Sequence, residues 1–255
     1  MKFSPRIAVW FQALVVIGCF SALKAEVKPG SYTAADVRGT VTWTDPSTKA
    51  EAPLASGQKL PQGAIVSTGE GSTVVLVFAS GATATLAPES SVEVSRFYQQ
   101  AFSEEAFLNE SLEPSVSVTE MNLIRGEITG QVRKLRTGSE FVVNTPVGAA
   151  GVRGTTFSVS YNPNNGTLII KTATGLVVYK SVDGVEVPVP AGQKYTKDGE
   201  VEELTPEEIA EIVAAATTAV EAARQERAAS GSPRRNPIEV TITVPDPDEV
   251  SGSQP

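Results

Sequence analysis

The chain has 255 residues, 41 % hydrophobic and 20 % charged, an ordinary globular composition. Its 29 acidic and 21 basic residues set a formal charge of −8, which repels phosphate backbones; the clusters Arg133, Lys134, Arg136 and Arg234, Arg235 are too short to reverse this, so nucleic acid is not an expected partner. There is no histidine and one cysteine, Cys19, which removes the commonest general base and transition-metal ligand, any internal disulfide and any thiolate metal cage, so no metal or cofactor is expected.

Lys2 and Arg6 precede a nearly unbroken apolar run over residues 7–20, and Leu23-Lys24-Ala25 stands before Glu26. A charged start, a short apolar stretch and a small-residue processing site together predict a secretory signal over residues 1–25. Fourteen apolar residues fall short of the roughly 20 that cross a bilayer, although an uncleaved anchor is a rival reading. Two processing routes stay open: cleavage after Ala25, or lipidation at Cys19, because Val16-Ile17-Gly18-Cys19 resembles a bacterial lipobox. Either route exports the rest of the chain to the periplasm or outer surface, with a lipid on Cys19 as its only membrane attachment. Loss of Lys2, Arg6 and Lys24 with the leader takes the charge from −8 to −11.

Residues 36–197 read as strand, turn, strand. Over residues 73–78, Val74, Leu76 and Phe78 share one face and Val75 and Val77 the other, which suits a strand buried on both sides. Turn signals recur at Gly69-Glu70-Gly71, Ser80-Gly81, Ala87-Pro88, Thr174-Gly175, Asp183-Gly184 and Ala191-Gly192, and Asn164-Asn165-Gly166 marks the clearest hairpin. The expected fold class is all-β, an antiparallel sandwich or roll of about 10–13 short strands rather than alternating βαβ units. Residues 99–115 break the rhythm with Glu104, Glu105, Glu110 and Glu113 among Phe102, Phe107 and Leu108; they predict a surface insertion with one or two helical turns, its aromatics tucked onto the domain.

Leu204-Thr205-Pro206-Glu207-Glu208-Ile209 is a complete helix start: Thr205 caps, Pro206 takes the first position, Glu208 closes a capping box, and Leu204 and Ile209 form a staple. Ile209, Ile212, Val213, Ala216, Val220 and Ala223 then make a stripe at helical spacing. The predicted helix spans residues 205–229 and packs on its own β-domain, with self-association as the rival. Residues 230–255, rich in proline and acid, predict a disordered tail, in which residues 238–244 alternate well enough for one extra strand.

The stretch Phe141-Val-Val-Asn-Thr145-Pro146-Val-Gly-Ala-Ala-Gly151-Val152-Arg153-Gly154-Thr155-Thr-Phe157 resembles the signature of FecR-type domains. In that pattern a Thr-Pro and a short small-residue loop precede Val-Arg-Gly-Thr and a strand. Residues 63–78, 86–94, 123–128 and 189–193 resemble other family pieces in the same order, so the likeness extends over roughly residues 37–196. It implies an extracytoplasmic β-domain. The best-known members are membrane-spanning regulators whose cytoplasmic part controls a sigma factor and whose periplasmic part meets an outer-membrane receptor. Only six residues precede the apolar run here, so the expectation is the stand-alone domain without the sigma-regulating part.

Read from the residues themselves, Pro146 stops strand pairing and Gly148, Gly151 and Gly154 permit a tight loop. Arg153 is placed to fold inward and staple loop carbonyls, with an anion contact as its functional rival, while Arg38 in a second Val-Arg-Gly-Thr is expected to be exposed. Thr145, Pro146, Gly151, Val152, Arg153, Gly154 and Thr155 are therefore taken as structural, and no catalytic, cofactor or metal residue is named. The expected function is a non-enzymatic module of the bacterial cell envelope that binds or senses another envelope protein. One alternative is carbohydrate or cell-wall binding through Trp43, Tyr98, Phe102, Phe107, Tyr161, Tyr179 and Tyr195. The other is a carboxylate-based glycoside hydrolase using Glu89, Glu93, Glu120 or Glu127, a chemistry that needs two carboxyl groups about 5–9 Å apart in a cleft.

Overall fold

A computed structural model describes residues 27–196 and 199–230; the predicted leader with Cys19 and Ala25, and all but the first residue of the tail, lie outside the described residues. In chain order the elements are β1 (Val27–Pro29), β2 (Tyr32–Arg38), β3 (Val41–Thr44), β4 (Glu51–Pro53), β5 (Lys59–Leu60), β6 (Ile65–Thr68), β7 (Thr73–Phe78), β8 (Thr83–Leu86), β9 (Ser91–Gln100) and α1 (Glu104–Leu108). There follow β10 (Ser117–Gln131), β11 (Glu140–Thr145), β12 (Gly148–Val152), β13 (Thr156–Asn162), β14 (Thr167–Thr174), β15 (Leu176–Ser181), β16 (Glu186–Pro190), β17 (Gln193–Thr196), β18 (Val201–Glu203) and α2 (Pro206–Ala229). The fold is mostly β with one long C-terminal helix, as the alternation requires. Eighteen strands exceed the expected count because pieces of two or three residues, such as β1, β4, β5 and β18, are too short to show a period.

The pairings build two sheets. The first runs β4-β3-β6-β9-β10-β11-β12-β15-β16, with β1 flanking the far end of β9. The second runs β5-β2-β7-β8-β10-β13-β14-β17-β18. β10 belongs to both: its first half pairs with β9 and β11, its second with β8 and β13. The strand passes between sheets at Gly126, whose φ is 85° and where a Cβ would sit 2.5 Å from the Ser90 Cα, so only glycine fits both the dihedral and the space. The chain then returns to the first sheet and runs beside the start of β10, which makes β10–β11 parallel while the other ladders are antiparallel.

Between the sheets lies the main core. Tyr32 stacks on Phe78 with centroids 5.5 Å apart, Phe78 meets Phe97 edge-on at 5.2 Å, and Phe141 links Phe78 to Phe157. Burial pushes the Tyr32 hydroxyl pKa up, with a smaller push from Glu93; the hydroxyl donates to the Pro61 carbonyl at 2.7 Å. The double apolarity of β7 has a concrete cause. Val74, Leu76 and Phe78 enter this core, whereas Val75 and Val77 pack with Ala35 against Ala219 and Ala222 of α2.

α2 lies on the outer face of the second sheet, over strands from β2 to β14. Thr205 caps it by accepting from the Glu208 N–H, and the Glu208 carboxylate accepts from the Thr205 N–H, completing the capping box. Glu208 also pairs with Lys171 at 3.1 Å. These backbone and lysine contacts hold its pKa below the usual carboxylate range, the backbone bond first. The buried spine is Ile212, Ala216, Ala219 and Ala222 rather than the stripe through Val220 and Ala223. Alanines let the helix axis approach the threonine- and serine-bearing sheet face closely, which moves the bulkier Val220 to the side, where it borders a groove.

Candidate functional site

The signature residues fall on a hairpin and a sheet crossing. Thr145 ends β11, Pro146 and Val147 make the turn, and the Thr145 hydroxyl donates to the Gly148 carbonyl at 2.8 Å. The expected small-residue loop is instead β12, paired on both sides with β11 and β15. Its small residues answer to crowding: a Cβ on Gly148 would meet the Lys180 carbonyl and the Tyr179 ring. Gly151 has no left-handed φ, and a Cβ there would meet nothing nearer than 3.6 Å. Val152 is buried at the end of β12, and the chain crosses through Arg153, Gly154 (φ 69°) and Thr155 into β13 of the second sheet. Arg153 does not fold inward. It is exposed, and among the described residues its guanidinium has no hydrogen-bond partner; the inward side is already filled by the backbones of Lys134 and Gly175.

The carboxylates considered for hydrolysis each have a separate local setting. Glu89 is exposed at a turn with φ 57°, Glu93 accepts from Asn122 at 2.8 Å, Glu120 pairs with Arg96 at 2.7 Å, and Glu127 accepts from the Ser158 hydroxyl. Of the aromatics considered for a sugar platform, Tyr161, Tyr179 and Tyr195 are buried, because each points into the core from its strand, and Trp43 packs against that core. Burial pushes the Tyr179 hydroxyl pKa up; the hydroxyl donates to the Val147 carbonyl at 2.7 Å.

What the structure brings together is a groove of about 740 Å³ between the C-terminal half of α2, the 101–116 insertion and the edge of the second sheet. Its floor comes from Val77 and Thr83, one wall from Val220, Ala223 and Arg227, and the other from Phe102, Phe107 and Leu108. Ser103 caps α1 by accepting from the Ala106 N–H, which turns Phe107 toward Phe102, the rings stacking at 6.0 Å. Phe102 and Leu108 stay exposed at the rim, at 38 % each.

Arginines tie the walls together. Arg133 lies 4.5 Å from the Phe107 ring centroid and donates to the Phe107 and Asn109 carbonyls at 2.8 and 3.2 Å. Arg227 sits over the same ring at 3.6 Å, a cation–π contact worth about 0.5–2 kcal/mol. Arg224 reaches from α2 to both Glu110 oxygens at 3.1 Å, bracing the insertion against the helix. Burial lowers the Arg133 pKa, opposed by Glu110 and reinforced by Arg227 and Arg224; burial also lowers that of Arg227, opposed by Glu104. Arginine remains charged under such shifts, so the groove keeps partly desolvated cations beside aromatic rings.

Glu113 anchors the insertion from behind. It is 1 % exposed, although the reading of residues 99–115 placed it on a surface segment. Its carboxylate accepts from the Ser117 hydroxyl at 2.8 Å, the Arg136 N–H at 2.6 Å and the Ser139 hydroxyl, so its burial is compensated by hydrogen bonds. Sequence reading named Phe102, Phe107 and Arg133 but did not connect them, put Glu113 on the surface, and missed Arg224 and Arg227. Val220, Ala223, Arg224 and Arg227 do stand at i, i+3, i+4 and i+7, so a mixed apolar and cationic face was readable; what it would face was not.

Residues 64–178 match the model of the FecR protein family. Solved structures that match include two described as "a putative anti-sigma factor" from Parabacteroides distasonis ATCC 8503, at 15 % and 16 % identity with TM-scores of 0.40 and 0.41. Each match covers 55 % of this chain and 59 % of that chain, so this chain spans about three-fifths of the length of those proteins. No curated protein matches.

Proposed function

We propose that this chain, which carries a FecR domain over residues 64–178, is a non-enzymatic extracytoplasmic module of a bacterial cell envelope that binds or senses another envelope protein. The domain match supports a signalling or sensing role, and the leader-like N-terminus supports export. Among the described residues no helix is long and apolar enough to cross a membrane.

One observation carries the reading. The insertion is pinned by Glu113 and braced by Arg224–Glu110, yet it holds Phe102 and Leu108 outward, 38 % exposed each. An exposed aromatic side chain held rigidly at the surface can anchor a protein contact. A photo-crosslinking amino acid at position 102 should trap a defined envelope protein in cells, while the same group at Ile124, which is 42 % exposed on the first sheet, should not. Leu108→Asp should weaken the adduct at position 102. Fractionation of the chain with the cytosol, or an adduct pattern indifferent to position, would overturn the reading.

A further inference from the structure

We propose that the groove itself is a binding site for a single-chain amphiphilic carboxylate, its apolar chain along Val77, Phe107 and Val220 and its acid group at Arg227 and Arg133. The groove interior is distinct from the rim, where Phe102 and Leu108 are exposed.

Shape is the first argument. About 740 Å³ bordered by sheet, helix and insertion and half open to solvent is the size of small-ligand sites, which fall at roughly 300–1,000 Å³. Charge is the second. Lys59, Arg133, Arg224 and Arg227 line the groove against Glu110 and Glu226, a cationic lining on a chain whose formal charge is −8. Arg224 is engaged by Glu110 and Glu221, and Arg133 has only carbonyl acceptors. Arg227 has its ring contact and feels the charge of Glu104, but among the described residues its guanidinium makes no ion pair or hydrogen bond. A guanidinium half-sheltered over an aromatic ring favours an anion that brings its own lone pairs.

An independent observation lies at the Arg133 end. Thr83 lines the groove at 2 % exposure, and its hydroxyl has no hydrogen-bond partner among the described residues. Thr83 stands opposite Gln131 on β10, two residues before Arg133, whose guanidinium covers Gly81. Thr85, Thr119, Thr155 and Thr172 also hold hydroxyls without a partner among the described residues, but of these threonines Thr83 alone lines the groove, where an acid oxygen seated near Arg133 would accept from it.

The test uses the full chain and three probes with the same twelve-carbon tail below their micellar concentrations: dodecanoate, dodecyltrimethylammonium and dodecanol. Titration calorimetry should give saturable one-to-one binding of dodecanoate, at least tenfold tighter than either of the other two. Arg227→Gln should weaken dodecanoate at least tenfold, and Ala223→Trp or Val220→Phe, which fill the groove, should abolish its binding; circular dichroism and urea unfolding verify that each variant folds. Equal affinity for the three probes, stoichiometry well above one, or wild-type affinity in the folded filled variants would overturn the proposal. So would binding to phosphatidylglycerol vesicles without binding to monomeric dodecanoate, since that would make the groove a membrane-surface contact.

Discussion

Val37, Arg38, Gly39 and Thr40 repeat as Val152, Arg153, Gly154 and Thr155, and each set carries the chain from one sheet to the other in opposite directions. In both, a strand ends at or just before the arginine, the glycine takes a left-handed φ (75° and 69°), and the arginine is exposed. The surroundings differ. Thr40 is exposed and its N–H is held by the Ser72 hydroxyl at 2.8 Å. Thr155 is 2 % exposed, with the crossing wedged between the backbones of Lys134 and Gly175. The same four letters therefore specify a local bend, while the fold around them decides how much each position tolerates.

The sharpest way to break that comparison is to add one methyl group to each glycine. At Gly154 a Cβ would lie 2.8 Å from the Lys134 Cα, so the left-handed dihedral and a backbone clash act together. Gly154→Ala should cost about 3 kcal/mol or more in urea unfolding. At Gly39 a Cβ would meet the Ser72 Oγ and Cβ, with the Ser72 Cα at 3.1 Å, on an exposed bend. Gly39→Ala should cost roughly the 1–2 kcal/mol of the dihedral plus about 1 kcal/mol where the Ser72 hydroxyl gives up the Thr40 N–H, still less than the buried clash. Equal losses at the two sites would mean that the wedge at Gly154 is not rigid.

Ser72→Ala tests the surface crossing from the other side. It removes the acceptor for the Thr40 N–H and the donor to the Glu70 carbonyl at 3.1 Å, and should cost about 1 kcal/mol. A smaller effect of opposite sign is expected in the buried crossing. The Thr155 hydroxyl has no partner among the described residues, so Thr155→Val replaces a stranded polar group by an apolar one of nearly equal volume. It should stabilise the fold by about 0.5–1 kcal/mol, against no measurable change for Thr40→Val. A loss of stability in Thr155→Val would show that the hydroxyl has a hydrogen-bond partner in solution.

These contrasts mark what could be read from the residues alone. Alternation located β7 and its two faces, because both the core and α2 impose a period of two on the same strand. The capping box located α2, because it is satisfied within four consecutive residues. The β12 strand was hidden since Gly148, Ala149, Ala150 and Gly151 carry too little side chain to show a period, and their smallness answers to Tyr179 from a strand about 30 residues away. The groove was hidden for the same reason: Phe107, Arg133 and Arg227 come from three segments that only the folded sheets bring together. Glu113 misled because a buried carboxylate is marked in sequence only by its partners, and Ser117, Arg136 and Ser139 carry no common pattern.

The smallest effect bears on the signature residue itself. Arg38 pairs with Asp36 through Nε at 2.9 Å and a terminal nitrogen at 2.8 Å, but its side chain is 65 % exposed. Arg38→Ala should cost below about 0.5 kcal/mol and less still at high salt. Arg153 is exposed and among the described residues has no such partner, so Arg153→Ala should leave the unfolding midpoint unchanged at any salt concentration. A loss above about 1 kcal/mol would mean that its guanidinium does staple the crossing in solution. A null result instead leaves this side chain pointing outward from a rigid bend without a structural duty, and the place to look for its role is then a binding assay rather than a melting curve.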